Sequence, residues 1–546
     1  MATIALGALV LLLPFEPRGA LRLGGLSFTL LEAAAAAAAV ALAWGGRQRL
    51  IPLARHPPLP LAALGAYALA HLLSAVLAPE ENARAGRFAL RMAAMAAFGV
   101  LVAAAPRGAR RKGLLALVFG AMVVAALAWG EGLGLRGLDF VLAPFREMPF
   151  NVAGLRRASA GSEYPNLAAA FLMCGLLAST GLLAERPRSL TLIGPASVVL
   201  VGALLFTYSR GALVATGLGL LAQAAFVRRR GTRWPVAPLA AVVVLVVGSS
   251  LFASTEEVFR LRLGRTGADD WYSATYEPNE TSLSLWPGET RSTKVKVTNT
   301  GPKTWTEREA FHLSYHWFRP DRRSMEDGGR ARLGRDLGRG ESAVLEARIT
   351  APRDEGRYLL VWDMVHEHTT WFSGQGVRVA VVPTRVGLAA GADVPDAPLD
   401  PSLIATTLAW RPTRGELWRL AAGMWAERPW AGFGSDSFRW SYGPRAGHRY
   451  WDVRIFANNT LLEAAATTGT LGAASLLLTL LASAVAGARS GSVAGPPDVA
   501  VRATLFGLVI ALLAHGVVDY VLAFTGHYLL LAFVVGSCAA LPGDVA

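Results

Sequence analysis

The stretch Arg228-Arg229-Arg230-Gly231-Thr232-Arg233-Trp234, followed by Pro235-Val236-Ala237-Pro238-Leu239-Ala240-Ala241-Val242-Val243-Val244-Leu245-Val246-Val247-Gly248-Ser249-Ser250-Leu251-Phe252-Ala253-Ser254, decides the fold. Four arginines give way to a block of about twenty residues without a single charge, the length a helix needs to cross a bilayer. Such a block has no polar face, so it reads as a membrane span, and the arginines mark its cytoplasmic end.

Similar blocks recur along the 546 residues, of which 53% are hydrophobic. They lie near 2–15, 24–44, 59–78, 88–105, 113–131, 166–184, 191–208, 212–227, 235–254, 460–486, 503–520 and 526–541. The expected fold is therefore an all-α polytopic membrane protein of about 12 transmembrane helices. Residues 1–15 lack the basic start of a cleaved signal and read as a retained anchor, short enough to tilt or to lie partly in the interface.

A net charge of +14 would suit a nucleic-acid partner if the basic residues formed a stripe. They do not. Arg47, Arg49 and Arg55, then Arg107, Arg110, Arg111 and Lys112, then Arg186 and Arg188, then the arginines at 228–233 fall in alternate short connections. These read as cytoplasmic, with both termini inside, and no nucleic acid is expected. The threading places 132–165, the turn at 209–211 and all of 255–459 on the opposite face. No ATP or nucleotide sugar is available there, so a donor must arrive already activated and linked to lipid. Cys174 and Cys538 fall within spans without a CxxC partner, which implies neither a disulfide nor a zinc site.

Between 270 and 386 the apolar blocks yield to period-two alternation: Leu283 and Leu285, Val295 and Val297, Leu313, Tyr315 and Trp317, Leu345, Ala347 and Ile349, Tyr358, Leu360 and Trp362, Val377, Val379 and Val381. Turns at Trp286-Pro287-Gly288, Asn299-Thr300-Gly301-Pro302, Asp327-Gly328-Gly329, Arg339-Gly340 and Glu355-Gly356 separate these strands. The pattern predicts an inserted extracytoplasmic all-β sandwich. The run from Trp286-Pro287-Gly288-Glu289 through Asn299-Thr300-Gly301 to Thr304-Trp305 resembles immunoglobulin-like modules of bacterial surface and carbohydrate-active proteins. Trp317, Trp371 and Phe372 read either as sugar-stacking aromatics or as core. His312, His316, His366 and His368 lack the fixed spacing of a closed zinc site, although His366 and His368 share a strand face. No metal or other cofactor is expected. The order is thus helices over 1–254, a linker at 255–269, the module at 270–386, an external helical loop at 387–459 and C-terminal helices over 460–546.

Four short motifs lie on that external face: Gly161-Ser162-Glu163-Tyr164-Pro165-Asn166; Thr207-Tyr208-Ser209-Arg210-Gly211; Arg414-Gly415-Glu416-Leu417-Trp418 leading to Gly432-Phe433-Gly434; and Asn458-Asn459-Thr460-Leu461-Leu462-Glu463 with Gly469. Together they resemble the O-antigen ligase and polymerase superfamily. The resemblance implies a GT-C-like multi-pass protein of the bacterial inner membrane with its active face periplasmic. It also implies an inverting, metal-independent transfer of a glycan from a polyprenyl diphosphate to a glycan, lipid or protein acceptor in surface polysaccharide biosynthesis. Two departures stand out, because Asn458-Asn459 replaces the ligase His-Asn and Thr467 stands where the family often has Glu.

A leaving diphosphate gathers negative charge, and without an Asp-rich metal motif the neutralising groups must be cationic side chains. Arginine suits, since its planar fork binds phosphate oxygens bidentately and keeps its charge. Arg210 and Arg414 are the first choices, with Arg411 or Arg419 as substitutes for the second. Snorkelling is the other reading of Arg210. Asn166 reads as a helix N-cap, as a substrate contact, or as both. Ser209, Gly432 and Gly434 are expected to shape substrate binding, and Asn459 matches the family asparagine. Asn458 cannot accept a proton at neutral pH, so a base must come from His448, Glu463, Asp436 or Asp452, or be dispensable. His515 and Asp519 are expected one helical turn apart at the end of the eleventh span, where ionisable groups are functional candidates. The competing class is a non-enzymatic transporter or binding protein for lipid-linked or surface polysaccharide. A transporter would show discontinuous helices or paired repeats, and neither is visible in the sequence.

Overall fold

A computed structural model describes the chain except for residues 24–25, 79–81, 148, 153–154, 184–189, 230–235, 265–270, 320–323, 368, 376, 388–411, 449–450, 489–495 and 541–546. It divides into a helical unit, Met1–Phe150 with Arg156–Thr255 and Arg414–Ala546, and a second unit, Asn151–Leu155 with Glu256–Thr413.

In the helical unit every apolar block is a helix. The elements are α1 (Ala2–Leu12), β1 (Ala20–Leu23), β2 (Leu26–Thr29), α2 (Leu30–Arg55), α3 (Leu59–Val76), α4 (Asn82–Ala104), α5 (Arg107–Gly132), α6 (Leu138–Leu142), α7 (Pro165–Leu183), α8 (Leu190–Phe206), α9 (Arg210–Arg229) and α10 (Val236–Thr255). Short strands β3 (Phe150–Val152) and β4 (Leu155–Arg157) precede α7, and α11 (Glu257–Gly264), which follows α10, belongs with residues 151–155 to the second unit. The chain returns to the bundle with α12 (Arg414–Glu427), α13 (Phe438–Arg445), α14 (Thr460–Ala488), α15 (Pro496–Gly516) and α16 (Thr525–Ala539). Among the described residues nine helices are long and apolar enough to cross a membrane, while α1, α8 and α16 are shorter apolar helices. The protein is a polytopic membrane protein carrying a separate β-rich domain.

Burial explains how one of the short apolar helices is accommodated. All of Thr525–Ala539 is buried, so α16 is a core element that need not match the ~30 Å hydrocarbon thickness. Most of α7 is likewise interior, whereas α2 and α10 expose most of their apolar length, as lipid-facing helices should.

Three sequence expectations change. The second helix begins at Leu30, because Thr29 and Glu32 form a capping box: Thr29 Oγ1 accepts from Glu32 N (3.1 Å) and the Glu32 carboxylate accepts from Thr29 N (2.8 Å). The residues before it pair as the β1–β2 hairpin. The basic clusters are helix ends more than loops: α2 runs on through Arg47, Arg49 and Arg55, and α5 takes in Arg107 to Lys112. Long basic stems let a helix outrun the hydrocarbon. Finally α15 stops at Gly516, short of residue 520, so Asp519 is not on the helix that carries His515.

The second unit holds two antiparallel-based sheets. One is β11 (Ser342–Thr350), β7 (Thr290–Asn299) and β5 (Ala274–Pro278); the other runs β10 (Ala331–Arg332), β8 (Phe311–Phe318), β12 (Gly356–His366), β14 (Ala380–Val386) and β6 (Leu283–Leu285), with β9 (Ser324–Asp327) and β13 (Thr370–Trp371) added at its rim. The alternation that marked β7 and β11 in sequence is their burial pattern, with Val295, Val297, Leu345, Ala347 and Ile349 inside. Hydrogen bonds cross between sheets from Trp317 Nε1 to Thr350 O (2.8 Å) and from Thr350 N to Tyr315 Oη (2.9 Å).

The aromatic ambiguity resolves toward core for Trp317 and Phe372, which are buried, while Trp371 is half-buried between the His316 ring and Arg330. His366 is also core, stacked on Phe311 at 4.2 Å and hydrogen-bonded to Tyr272 Oη at 3.0 Å. Burial, with Lys303 nearby, pushes its pKa down to about 4. His368, its proposed zinc partner, lies outside the described residues.

The isolated segment 271–387 is expected to fold alone, since its core is complete within it. Trp305→Ala should destabilise it by about 3–5 kcal/mol, the cost of emptying a fully buried aromatic site, read by urea denaturation. A segment that shows no cooperative transition would contradict the domain boundary.

Candidate functional site

The site begins at a strained turn. After α8 ends at Phe206, Thr207 Oγ1 donates to Leu204 O (2.6 Å) and accepts from Ser209 N (3.2 Å), and Tyr208 takes a left-handed φ of 53°. Of the five non-glycine residues with positive φ among those described, four sit in or beside the motifs: Ala160, Tyr208, Asp436 and Asn458. Such backbone is costly for residues with a Cβ, and it concentrates where geometry is imposed by function.

Arg210 is the first residue of α9, and the following Gly211 packs against Val518 and the His515 ring. Arg414 opens α12 and lies within electrostatic reach of both Arg210 and His515. Two arginines 204 positions apart are thus brought together, both half-buried. His515 Nε2 is 4.0 Å from Asp519 Oδ2, beyond hydrogen-bond length.

Asn166 is not the cap of α7, because Pro165 already starts that helix. Instead its Oδ1 accepts from Arg157 Nη2 (2.9 Å) and its Nδ2 donates to Asp519 Oδ2 (2.6 Å). Arg157 also donates from Nε to Thr207 O (2.8 Å), so one buried guanidinium fastens the Pro-Asn and Tyr-Ser-Arg-Gly motifs to each other. Sequence reasoning missed Arg157; its signal was an Arg-Arg pair at 156–157 outside every span. It also missed Glu131, which pairs with Arg146 and accepts from Ser159 N (3.0 Å) and Ala160 N (2.6 Å), fixing the loop that leads to Asn166.

Asn459 caps α14: its Oδ1 accepts from Leu461 N (3.0 Å) and Leu462 N (2.9 Å), while Nδ2 donates to Val517 O (2.8 Å). Asn458 precedes it with φ 51°, a conformation that Asn and His tolerate better than most side chains, and its carbonyl accepts from Trp418 Nε1 (3.4 Å). The asparagine to which the sequence resemblance pointed is therefore a helix cap. Asn459→Ala should cost about 1 kcal/mol in cap energy, read as a lowered Tm in detergent. Asn458→His should keep the fold, read by the same Tm, because either side chain accepts this backbone conformation.

The two glycines of Gly432-Phe433-Gly434 have a structural task. At Gly469, with φ 68° and ψ −167°, α14 breaks, and the freed carbonyls of Ala466 and Thr467 accept from Phe433 N (3.1 Å) and Gly434 N (3.0 Å). A Cβ on Gly432 would lie 2.5 Å from Thr467 O, and one on Gly469 would lie 2.3 Å from Trp430 O. Only glycine lets the two backbones meet. A discontinuous helix, not visible in the sequence, is therefore present, but its broken hydrogen bonds are closed by the docked loop.

The remaining acid–base candidates separate. Asp436 is held by Arg439 through both carboxylate oxygens (2.7 and 2.6 Å), and Asp452 pairs with Arg454 (2.9 Å). Glu463 is buried and accepts from Ala457 N (2.8 Å), which ties the Asn458 loop to α14. His448 is half-buried near Glu416 of α12, and burial lowers its pKa against the opposing pull of that carboxylate. It is consequently neutral at pH 7 and able to accept a proton. Arg419 is exposed, and Arg411 lies outside the described residues.

The structure thus brings together Arg210, Arg414, His515, Asp519, Asn166 and Ser209 at the ends of α7, α9, α12 and α15, with Asn459 joined to α15 through Val517. A scan against protein-family models and a search of curated proteins each return no match to this chain.

Proposed function

We propose that the chain is a membrane glycosyltransferase of the O-antigen ligase or polymerase type, which moves a glycan from a polyprenyl diphosphate to an acceptor in surface polysaccharide synthesis. The observation that carries this reading is that Arg414, at the start of α12, lies within electrostatic reach of Arg210, at the start of the apolar helix α9. Two guanidiniums held within reach of each other repel, and an anion between them relieves that cost. A diphosphate offers each fork its own pair of oxygens.

In this reading Arg210 and Arg414 bind the donor diphosphate and neutralise the charge that grows as the glycosidic C–O bond breaks. Arg157 and Asn166 hold Asp519 in place, and Asp519 faces the His515 imidazole. The acceptor hydroxyl approaches the anomeric carbon from the face opposite the diphosphate, which inverts the configuration. Its proton passes to a neutral His448 or to solvent. Twelve helices of GT-C-like arrangement, with the motif face periplasmic in a bacterial inner membrane, complete the proposal.

A deletion strain provides the cellular test. Carrier bearing unpolymerised units indicates a polymerase, and full-length chains retained on carrier indicate a ligase. Unchanged glycans and unchanged carrier in the deletion strain would overturn the reading.

A further inference from the structure

We propose that the end of α12 and the loop after it, residues 425–430, form a membrane anchor, with Trp425 and Trp430 seated where lipid headgroups meet hydrocarbon. Along most of its length α12 turns Leu417, Ala421 and Met424, which share one helix face, into the protein. Its last turn does the opposite. Trp425 is 39% exposed and Trp430 is 71% exposed, and every residue between them is exposed as well. A large apolar ring left in water forgoes the free energy of burial, so two of them on one short segment mark a surface that is covered in use.

Two spans identify the cover as the bilayer. α14 exposes no large apolar side chain before its break at Gly469, and after it exposes Leu471, Leu477, Leu478, Leu481 and Val485. From Thr470 to Ala488 the helix rises roughly 28 Å at about 1.5 Å per residue, close to a ~30 Å hydrocarbon core. The lipid-facing length of α14 therefore starts at Thr470, and the exposed segment is fastened to that residue. Trp425 Nε1 donates to Thr470 Oγ1 (3.0 Å), and Thr470 donates to Pro429 O from N (2.6 Å) and from Oγ1 (2.7 Å). α3 ends beside the same place: Ser74 Oγ donates to Thr467 O (2.6 Å), two residues before the span stops at Val76. The exposed tryptophans are thus continuous with the lipid-facing surface at its edge. Tryptophan favours that edge, where its ring meets hydrocarbon and its N–H keeps a polar partner. Glu427 and Arg428, exposed between the two rings, set the depth, since charges suit the headgroup layer and are expensive in hydrocarbon. α12 begins at Arg414, so an anchor at its far end restrains the arginine that the donor reading uses, while the anchor itself is independent of what Arg414 binds.

The test is the depth of a nitroxide on the full-length chain in vesicles of phosphatidylethanolamine and phosphatidylglycerol, read by its collisions with oxygen, which enters lipid, and with a nickel chelate, which stays in water. Cys174 and Cys538 are buried, so the label attaches at an introduced thiol. The references are Leu478→Cys on the lipid-facing part of α14 and Glu346→Cys on an exposed position of β11. At Trp430→Cys and at Ala426→Cys the oxygen-to-nickel ratio should fall between the two references. A ratio equal to that at Glu346→Cys would place the segment in water, and one equal to that at Leu478→Cys would place it in hydrocarbon; either overturns the anchor. Collision with neither reagent would mean that protein covers the segment, which overturns it too. A second measurement keeps the aromatic rings. Trp425→Phe/Trp430→Phe should remove more of the tryptophan quenching by phospholipid brominated near its headgroup than of that by phospholipid brominated at its chain ends, and quenching unchanged by the double variant would contradict the seat assigned to the two rings.

Discussion

Arg210→Lys and Arg414→Lys are each expected to lower glycan transfer about 100- to 1,000-fold, the usual loss when one preorganised donor to a developing anion is removed. Lysine keeps the charge but replaces a rigid two-pronged fork with one mobile ammonium, so bidentate contact to a phosphate oxygen pair is lost. The loss should appear mainly in kcat if the fork tightens on the leaving diphosphate, and in KM if it binds donor and transition state equally. Because both residues act on one group, the double variant should be little worse than either single. Both side chains are only half-buried, so folding should survive, which gel filtration in detergent would verify. Near-normal transfer by either variant would remove that arginine from the donor site.

A loss of comparable size, but in stability, should follow Gly469→Val. At φ 68° a β-branched residue costs about 1–3 kcal/mol in backbone strain alone. The new Cβ would also lie 2.3 Å from the Trp430 carbonyl, and a carbonyl anchored in a docked loop cannot step aside cheaply. Overpacking of this kind adds about 1–3 kcal/mol. A total near 4 kcal/mol should undock residues 430–434 and with them Asp436 and Arg439. Thermal unfolding in detergent reads the change, and a Tm equal to wild type would show that the break in α14 does not need glycine.

The membrane bundle was legible because a span must satisfy a length and an apolarity that little else in a sequence imitates. Every apolar block became a helix. The β domain was legible for a similar reason, since Val295 and Val297 or Leu345, Ala347 and Ile349 announce one buried face by alternation alone. Ends were harder to read. Nothing in composition reveals that Thr29 and Glu32 cap α2, because a capping box is one bond pair among many Thr-x-x-Glu spacings.

Within the site, the order of the motifs pointed at Arg210 and Arg414, and the rarity of ionisable residues in spans at His515 and Asp519, but neither signal could assign tasks. Asn166 looked like a cap and is a bridge between Arg157 and Asp519; Asn459 looked like a polar contact for chemistry and is the cap of α14. Gly432 read as shaping substrate binding and Gly469 lay inside the apolar block at 460–486; the necessity of both lies in a contact between segments 37 positions apart. Such pairings depend on tertiary approach, which no local pattern encodes. Arg157 was passed over because an Arg-Arg pair outside a span has many solvated explanations, and only its burial against Thr207 and Asn166 distinguishes it.

The central claim is tested most directly by reconstituting the purified chain in liposomes with a synthetic oligosaccharide on polyprenyl diphosphate, in EDTA, with polysaccharide, lipid and peptide acceptors offered in turn. The account predicts that free polyprenyl diphosphate accumulates in step with a new, inverted glycosidic bond on one acceptor, and that both products fall together in Arg210→Lys. Glycan that stays on its carrier with every acceptor, or that crosses the bilayer still attached, would contradict it.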